Sequence, residues 1–278
     1  MLSLKLPSSG AGGAAAWGAD PDPGPHDPLP SDQALLFGAA QTAMLFDGMA
    51  GFLFVVKDCD GRYVSFNTSL TQRLGCQSGE GALRGRTAVE LWPDDLSSRY
   101  RSQDEWVLQR QAPLLYQLDP ILLPGGQPGW AVTHKYPLCS ERGHLAGILC
   151  LSRDVPGLPR DADDQRLIQS IDRMSKHCSE RISVSELAAQ SGLTQSRFAA
   201  LVRRIYGVSP MEFIIANRVR SACERLLRSQ DPMLEVALTC GFYDQAQFSR
   251  QFRRVVGMSP SAYRQQGSAQ PLWPSPFG

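Results

Sequence analysis

The chain has 278 residues, of which 42% are hydrophobic, and its 28 basic and 27 acidic residues leave a formal net charge of +1. This length favours two domains of about 100–150 residues each, and the hydrophobic content excludes a wholly disordered chain. The charge excludes a protein that is basic over its whole surface, although it is compatible with a basic patch that acidic residues balance elsewhere.

The first residues predict neither a signal peptide nor a membrane span. Residues 1–13 contain one lysine and no sustained apolar run, and the most apolar stretch, residues 34–56, is interrupted by Gln41, Thr42 and Asp47. A spanning helix needs about 18–20 largely uncharged residues. The seven cysteines form no CxxC pair, which favours reduced thiols over a disulfide framework or a structural zinc site. We therefore expect a cytoplasmic protein with no membrane association.

The N-terminal half begins with a tail and continues as a mixed region. Residues 1–33 are rich in Gly, Ala, Pro and Asp, which predicts a disordered tail. Two strand-like runs over 52–57 and 62–66 are joined through Asp60-Gly61, a strong hairpin signal. Three helices and then three strands are predicted next, over residues 67–74, 88–91, 96–109, 114–118, 130–137 and 145–153. Residues 34–155 therefore predict an α+β domain, an antiparallel sheet with flanking helices.

Several short motifs of this region are similar to those of PAS domains. They are Lys57-Asp58-Cys59-Asp60-Gly61-Arg62-Tyr63-Val64, Gly85-Arg86-Thr87, Trp130 and His134-Lys135-Tyr136-Pro137-Leu138. The resemblance implies a sensory or dimerising module with a pocket between the sheet and its helices. It favours control by a small-molecule effector or a homodimer formed through this domain.

The residues that would predict a cofactor are missing from this region. A flavin photosensor of the fold needs a reactive cysteine in a motif of the Asn-Cys-Arg-Phe-Leu-Gln type, whereas Cys76 follows Leu74-Gly75 and precedes Gln77. Haem needs an axial histidine, but residues 96–109 contain none, and His134 on a predicted strand is interpreted as structural. We expect no cofactor, with a haem or flavin sensor as the alternative. The sequence contains no Gly-rich phosphate loop, HExxH or Gly-x-Ser-x-Gly motif, so we predict that the chain is not an enzyme.

Beyond a predicted linker over residues 156–164, which contains two prolines, the chain becomes helical. One sequence unit then occurs twice, over residues 184–210 and 233–260, and each copy has the pattern of a helix-turn-helix. The first helix of each copy ends at a glycine, Gly192 or Gly241, and the second begins after an N-cap residue, Thr194 or Asp244. We predict an all-α domain over residues 165–266, followed by a second tail over 267–278.

The second helix of each copy is predicted to read DNA. With Phe198 and Phe248 facing inward at about 100° per residue, small, amide and arginine side chains face outward. Such a face suits the major groove, because Arg pairs with guanine and Gln with adenine, while further arginines reach phosphates. The predicted base-reading residues are Ser196, Arg197, Gln245, Gln247 and Arg250, and the predicted phosphate contacts are Arg203, Arg204, Arg253 and Arg254.

A long helix is predicted between the two copies. Ser209-Pro210-Met211-Glu212 is a capping box with proline at the first helical position, and the helix that it opens extends to about Arg228. Such a helix is about 29 Å long, whereas successive major-groove openings on one DNA face lie about 34 Å apart. The shortfall leads us to expect that the chain bends its DNA.

Residues 165–265 resemble the AraC/XylS family of bacterial transcription regulators. The similarity rests on Ala188 and Gly192, Gly241-Phe242, Gly257-Met258-Ser259-Pro260 and Tyr263-Arg264. It implies two helix-turn-helix units that bind asymmetric double-stranded promoter sites and activate transcription through RNA polymerase. Ala199 and Ala200 stand where larger base-contacting side chains often occur in the family, so the first unit is expected to anchor more than it reads.

The small net charge is a sum of two unequal parts. Residues 161–266 hold 15 basic and 11 acidic residues, a net of +4, and the other residues have a net of −3. The sequence therefore predicts a transcription activator in which a mildly acidic sensory region controls a basic DNA-binding region. A protein-interaction adaptor that does not bind DNA is a further alternative.

Overall fold

The computed structural model describes residues 38, 41–75, 80–139, 144–158 and 164–267. The predicted tail over residues 1–33 lies outside the described residues, as does the second tail apart from Gly267. Cys76 and residues 159–163 of the predicted linker also lie outside them.

Five strands form one antiparallel sheet in the order β2-β1-β5-β4-β3. They are β1 (Phe52–Asp58), β2 (Tyr63–Phe66), β3 (Leu114–Leu123), β4 (Gln127–Cys139) and β5 (Leu145–Asp154). The predicted hairpin and the three later strands are confirmed. Two boundaries differ from the prediction by more than two residues. β3 was predicted to end at residue 118 but extends to Leu123. β4 begins inside the Pro-Gly segment expected to separate the two strands, because Gln127 already pairs with Leu123 after a single turn, Pro124–Gly126.

Helices flank the sheet and then make up the rest of the described chain. The sheet domain, defined as residues 41–158, contains α1 (Thr68–Leu74), α2 (Ala88–Leu91) and α3 (Asp94–Arg110). The helical domain, defined as residues 164–267, contains α4 (Asp164–Lys176), α5 (Val184–Gln190), α6 (Gln195–Tyr206), α7 (Pro210–Arg228), α8 (Met233–Thr239), α9 (Gln245–Val256) and α10 (Pro260–Gln266). The predicted order of an α+β domain and an all-α domain is confirmed, with α5–α6 and α8–α9 as the two helix-turn-helix units.

Local capping signals place the helices where the sequence predicted them. The Thr194 hydroxyl and the Asp244 carboxylate accept backbone N–H bonds at the starts of α6 and α9. Ser209 and Glu212 form the predicted capping box at the start of α7. Each bond satisfies a backbone donor that the first helical turn would otherwise leave unpaired.

One hydrophobic cluster continues from the sheet into the first helix-turn-helix unit. Leu118 and Trp130 contribute from the sheet, while Met174 and Phe198 contribute from α4 and α6. Leu158, from the predicted linker, is buried in the same cluster. The two domains are therefore packed through a common core, in addition to the covalent connection between them.

Tyr116 lies at the centre of this contact. The pairing of β3 with β4 shifts between Leu114 and Gln117, and such a bulge redirects side chains. Tyr116 has a φ of 57° there, a conformation that costs a bulky residue roughly 1–2 kcal/mol. Its ring meets Tyr206 and Phe213 edge-on, with centroids 6.3 and 5.7 Å away. The Tyr206 hydroxyl donates a hydrogen bond to the Tyr116 carbonyl at 3.0 Å. Through Tyr116, the bulge therefore connects the sheet to α6 and α7.

The second helix-turn-helix unit has a core of its own, built by α7 to α10. Val219 and Leu226 of α7 pack there with Phe248, Phe252 and Tyr263. The helix α7 therefore contributes its first half to the common core and its second half to this one. As its predicted length implied, α7 is a rigid connection between the two units.

The segment before α5 also joins the two units. The Arg218 guanidinium of α7 donates to the carbonyls of Cys178 and Glu180 at 2.6 and 3.0 Å. Gly241, at the end of the second unit's first helix, lies against Ser179, and a Cβ added at Gly241 would sit 2.6 Å from the Ser179 carbonyl oxygen. Gly192, its counterpart in the first unit, has nothing within 4 Å of an added Cβ.

We expect Tyr206→Phe to lower the free energy of unfolding by about 1–2 kcal/mol, because it removes a buried hydrogen bond and leaves the Tyr116 carbonyl without it. Urea unfolding followed by circular dichroism measures this change. Tyr243→Phe is the matched control, since Tyr243 is 86% exposed and its hydroxyl should contribute nothing. Equal stability of both variants would contradict the contact.

The two matched glycines should differ in their tolerance of alanine. Both have positive φ, 68° at Gly192 and 85° at Gly241, so both substitutions strain the backbone by roughly 1–2 kcal/mol. Gly241→Ala should cost about 1–3 kcal/mol more, because its methyl group meets the Ser179 backbone. Thermal or urea unfolding compares the stabilities of the two variants directly. A larger loss of stability for Gly192→Ala than for Gly241→Ala would contradict the packing of Gly241 against Ser179.

Candidate nucleic-acid interface

Each helix-turn-helix unit presents one face of its second helix to solvent. The apolar faces of α6 and α9 are buried through Phe198, Val202, Phe248 and Phe252. The opposite faces form what we call the first and second reading surfaces. The first consists of Ser196, Arg197, Ala200, Arg203 and Arg204, and the second consists of Gln245, Ala246, Gln247, Arg250, Arg253 and Arg254.

Five of these arginines have no ion-pair partner among the described residues. Arg197, Arg203, Arg250, Arg253 and Arg254 are exposed and form no ion pair within 4 Å with any described residue. An exposed guanidinium without an internal partner keeps its five donors available for phosphate oxygens or a guanine edge.

The predicted base-reading residues differ in the exposure and the hydrogen bonding of their side chains. Gln245 and Arg250 are exposed, as are Ser196 and Arg197. The Ser196 hydroxyl lies 3.2 Å from that of the N-cap Thr194. Gln247 is half-buried, and its Oε1 accepts a hydrogen bond from the backbone N–H of Tyr243 at 2.9 Å. Gln247 therefore also orders the turn before α9, and only its amide nitrogen is left for a base.

Arg204 has a second partner besides any phosphate. Its Nη2 donates to the carbonyl of Pro156 at the end of the sheet domain. Close by, Arg153 of β5 donates to the carbonyl of Ile205 at 2.7 Å. The last turn of α6 is thus held by the sheet domain, and Arg204 belongs to the contact between the domains as well as to the first reading surface.

The phosphate candidates of both units lie near one carboxylate. Hydrogen bonds from the Ser209 side chain and backbone lower the pKa of Glu212, and the charges of Arg254 and Arg203 lower it further. The last turns of α6 and α9 therefore both come close to the start of α7. The distance between the two reading helices, α6 and α9, is therefore not set by the end-to-end length of α7 alone.

The structure adds one exposed residue that the sequence interpretation did not select. Tyr243 is 86% exposed and directly precedes the N-cap of α9, while its neighbour Phe242 is buried in the core of the second unit. An exposed phenol at the start of a reading helix offers a hydroxyl to a phosphate and a ring to a base. The signal in the sequence was its place in the turn, Gly-Phe-Tyr-Asp, where only one of two adjacent aromatic residues can face the core.

The sheet domain contains the pocket that the PAS resemblance implied, but it is small. The space between the sheet and its helices has a volume of about 40 Å³ and is lined by Lys57, Asp119 and Lys135 among others. Pockets for organic ligands usually measure about 300–1,000 Å³. Neither haem nor flavin fits among the residues that line this pocket.

A buried charge network fills the same region. The Asp104 carboxylate lies 2.6 Å from the ammonium groups of both Lys57 and Lys135. Burial alone would raise the pKa of Asp104, but the two ammonium groups, Lys135 first, hold it below its ordinary value. The one carboxylate is shared by two ammonium groups, so that each buried charge has an oppositely charged partner.

His134 lies on the opposite face of β4 from Thr133 and Lys135, which line the pocket. Its ring meets that of Tyr116 edge-on at 4.6 Å. Burial, together with the charges of Arg220 and Arg153, lowers its pKa to about 4. The histidine is neutral near pH 7 and packs in the contact between the domains, in line with its structural interpretation.

In the described part of the chain, no group of His, Cys, Asp and Glu side chains is arranged to hold a metal ion. None of the helices described is both long and apolar enough for a membrane span.

Two family models match the chain. Residues 187–266 match a helix-turn-helix domain, and residues 46–157 match a PAS fold. The first model covers both helix-turn-helix units from α5 onward, and the second covers the sheet domain.

Named relatives are transcription regulators. The chain is 37% identical to the probable transcriptional regulator LumQ of Photobacterium leiognathi over 91 residues, which are 33% of this chain and 37% of LumQ. It is 30% identical to the HTH-type transcriptional activator RhaS of Klebsiella pneumoniae strain 342 over 181 residues, 63% of this chain and 62% of RhaS. The chain therefore matches about a third of LumQ and under two thirds of RhaS.

A solved structure, the DNA-binding domain of the global transcriptional factor AdpA in complex with a target DNA, shares 32% identity with this chain. The match covers 36% of this chain and 91% of that chain, with a TM-score of 0.35.

The family match over residues 187–266 and the two capped helix-turn-helix units agree. The chain therefore joins an N-terminal region that matches a PAS fold to a C-terminal region that matches a helix-turn-helix domain.

Proposed function

We propose that the chain is a sequence-specific regulator that binds double-stranded promoter DNA through both reading surfaces and activates transcription in the bacterial cytoplasm. The observation that carries the proposal is the set of unpaired, exposed arginines on the matching faces of α6 and α9. The names of LumQ and RhaS, a transcriptional regulator and a transcriptional activator, support it.

Each reading surface combines residues suited to base contacts with residues suited to phosphate contacts. Arg250 and Gln245 are exposed near the start of α9. A helix in the major groove places its first residues at the base edges, so these two side chains suit base contacts. Arg253 and Arg254 follow in the last turn and suit phosphates. The first surface offers Ser196 and Arg197 as base contacts and Arg203 as a phosphate contact, with Ala200 small between them.

The PAS fold is proposed as the part that receives a signal. It shares a hydrophobic core with α6 and α7, and Arg204 donates a hydrogen bond to Pro156. A change in the conformation of the sheet domain would therefore affect the first reading surface. A signal that changes the docking of the two domains would shift the population that can bind DNA. We assign the output to RNA polymerase, and we propose that a homodimer forms through the PAS fold.

Arg250→Ala tests the assignment of base reading. We expect footprinting to show a discrete protected site upstream of a regulated promoter for the unchanged chain. The variant should lose about 1–3 kcal/mol of binding free energy and relax its preference at one base pair. Fluorescence anisotropy with a set of single-base variants of the site measures both effects.

Arg101→Ala is the matched control for this test, since Arg101 is an exposed arginine of α3 that pairs with Glu105. It should leave the affinity unchanged. An Arg250→Ala variant with unchanged affinity and base preference would contradict the assignment of α9 as the principal reader.

Arg253→Ala should act differently from Arg250→Ala. A phosphate contact carries no sequence information, so the variant should lose affinity for all sequences alike. The slope of log K against log salt concentration should become shallower by about 1, because one fewer counterion is released. Titrations at four salt concentrations measure the slope, and a loss confined to one base pair would show that Arg253 reads a base instead.

A further inference from the structure

Two arginines meet where the sheet domain packs against the end of α6. Arg153 is the second-to-last residue of β5, and Arg204 belongs to the last turn of α6. The Arg153 Nη2 donates to the Ile205 carbonyl at 2.7 Å, and the Arg204 Nη2 donates to the Pro156 carbonyl. Because the two bonds join the same two segments in opposite directions, both guanidinium groups lie at this one contact.

The bond from Arg153 satisfies the end of a helix. The last four carbonyls of an α-helix have no partner within the helix, and its C-terminal end carries a partial negative charge. Ile205 provides one of these carbonyls, and a basic side chain suits it. The bond uses one of the donors of the Arg153 guanidinium. A guanidinium has about five donors, so most of them are available to another partner.

The positive charges at this contact have no ion-pair partner among the described residues. Arg153, Arg203 and Arg204 are all exposed, and none of them lies within 4 Å of a described carboxylate. One of the three guanidinium groups belongs to the sheet domain, and two belong to the helical domain. Together they form a basic cluster at the last turn of α6, which we call the boundary cluster.

The carboxylates closest to the boundary cluster are engaged elsewhere. Asp154, next to Arg153 in the chain, is paired with Arg73 at 2.5 Å. Glu212 comes near Arg203, but its carboxylate accepts hydrogen bonds from the backbone and the hydroxyl of Ser209 in the capping box. Neither carboxylate therefore takes the donors of the cluster.

The chemistry of the boundary cluster matches a phosphate backbone. Guanidinium groups bind phosphate oxygens through charge-assisted hydrogen bonds, which are often bidentate. Double-stranded DNA carries one negative charge per ~1.7 Å of its axis, so neighbouring arginines can contact neighbouring phosphates. Arg203 and Arg204 were predicted as phosphate contacts from the sequence, whereas Arg153 lies on a strand of the other domain and could not be.

We propose that the sheet domain itself takes part in DNA binding, with Arg153 contacting the phosphate backbone beside the bases that the first reading surface meets. This inference rests on the proposed function and adds a third contact region to the two reading surfaces. Arg153 reaches this position while the sheet domain is packed on α6. DNA therefore favours the docked arrangement of the domains, and a signal that separates them weakens DNA binding.

Arg153→Gln and Arg153→Met, made in the full chain, remove the charge and test the proposal. Each variant should bind every DNA sequence about threefold to tenfold more weakly, because a phosphate contact carries no sequence information. The slope of log K against log salt concentration should become shallower by about 1. Arg153→Lys should keep the slope, since an ammonium group also pairs with phosphate. Fluorescence anisotropy with a specific and a scrambled duplex, over a series of salt concentrations, measures all of these effects.

Arg62→Gln is the matched control. Arg62 is also an exposed arginine of the sheet domain, its Nη1 donates to one backbone carbonyl, that of Gly85, at 3.0 Å, and it forms no ion pair with a described residue. It follows the end of β1 at Asp58, which pairs with Gly147 near the opposite end of β5 from Arg153. The control should leave the salt slope unchanged and alter the affinity less than about twofold.

A purely structural role of Arg153 has a different signature. Loss of the bond to Ile205 alone would lower the temperature of thermal unfolding and leave the salt slope unchanged. Ethylation interference identifies the phosphates themselves. The unchanged chain should be sensitive to ethylation beside the first unit's half of the site, at a phosphate where Arg153→Gln no longer is.

An unchanged salt slope in both charge-removing variants, or an equal loss in Arg62→Gln, would overturn the proposal. Tighter DNA binding by the variants would also overturn it, since the docked sheet domain would then oppose DNA binding. If the unchanged chain binds no DNA, the function proposed above fails as well. If it binds DNA and Arg253→Ala makes the slope shallower while the Arg153 variants do not, the contact from the sheet domain fails alone.

Discussion

The contact of Tyr116 with α6 and α7 is the constraint on which the arrangement of the domains depends. A bulge in β3 gives Tyr116 a φ of 57°, so the sheet pays a local conformational cost to present this ring to the helical domain. The ring lies edge-on to Tyr206 and Phe213, and the Tyr116 carbonyl accepts the Tyr206 hydroxyl. Strain of this kind persists only where surrounding packing over-determines it, and the common core of the two domains provides that packing.

This contact explains why the first reading surface is tied to the sheet while the second is not. The first helix-turn-helix unit shares its core with the sheet. The last turn of α6 accepts a hydrogen bond from Arg153 at the Ile205 carbonyl and donates one from Arg204 to the Pro156 carbonyl. The second unit has a separate core and meets the first through α7 and through Gly241 on Ser179. Under the proposed function, a signal in the sheet domain would reach the first unit by packing, and the second unit through α7 and the contact of Gly241 with Ser179.

The same arrangement separates the polar features of the protein. Inside the PAS fold, the Asp104 carboxylate pairs with Lys57 and Lys135, two of the residues that line the small pocket. Between the domains, the side-chain oxygens of Gln103, Gln117 and Asn217 and the Nη1 atom of Arg220 are buried without a hydrogen-bond partner in the described part of the chain. On the reading surfaces, Arg197, Arg203, Arg250, Arg253 and Arg254 are exposed and form no ion pair with the residues that the structure describes. Of these groups, the exposed arginines are accessible to a partner, which we propose to be DNA.

The sequence by itself determined the elements whose signals are local. The N-caps Thr194 and Asp244, the capping box at Ser209 and the repeated apolar spacing of α6 and α9 depend on residues three or four positions apart, and the predicted helices follow them closely. What only the tertiary structure decided depends on residues far apart in the chain. Tyr116 and Tyr206 are separated by 90 positions, and Arg204 reaches Pro156 across 48. No periodicity encodes such contacts, because they arise from the packing of one completed domain on another.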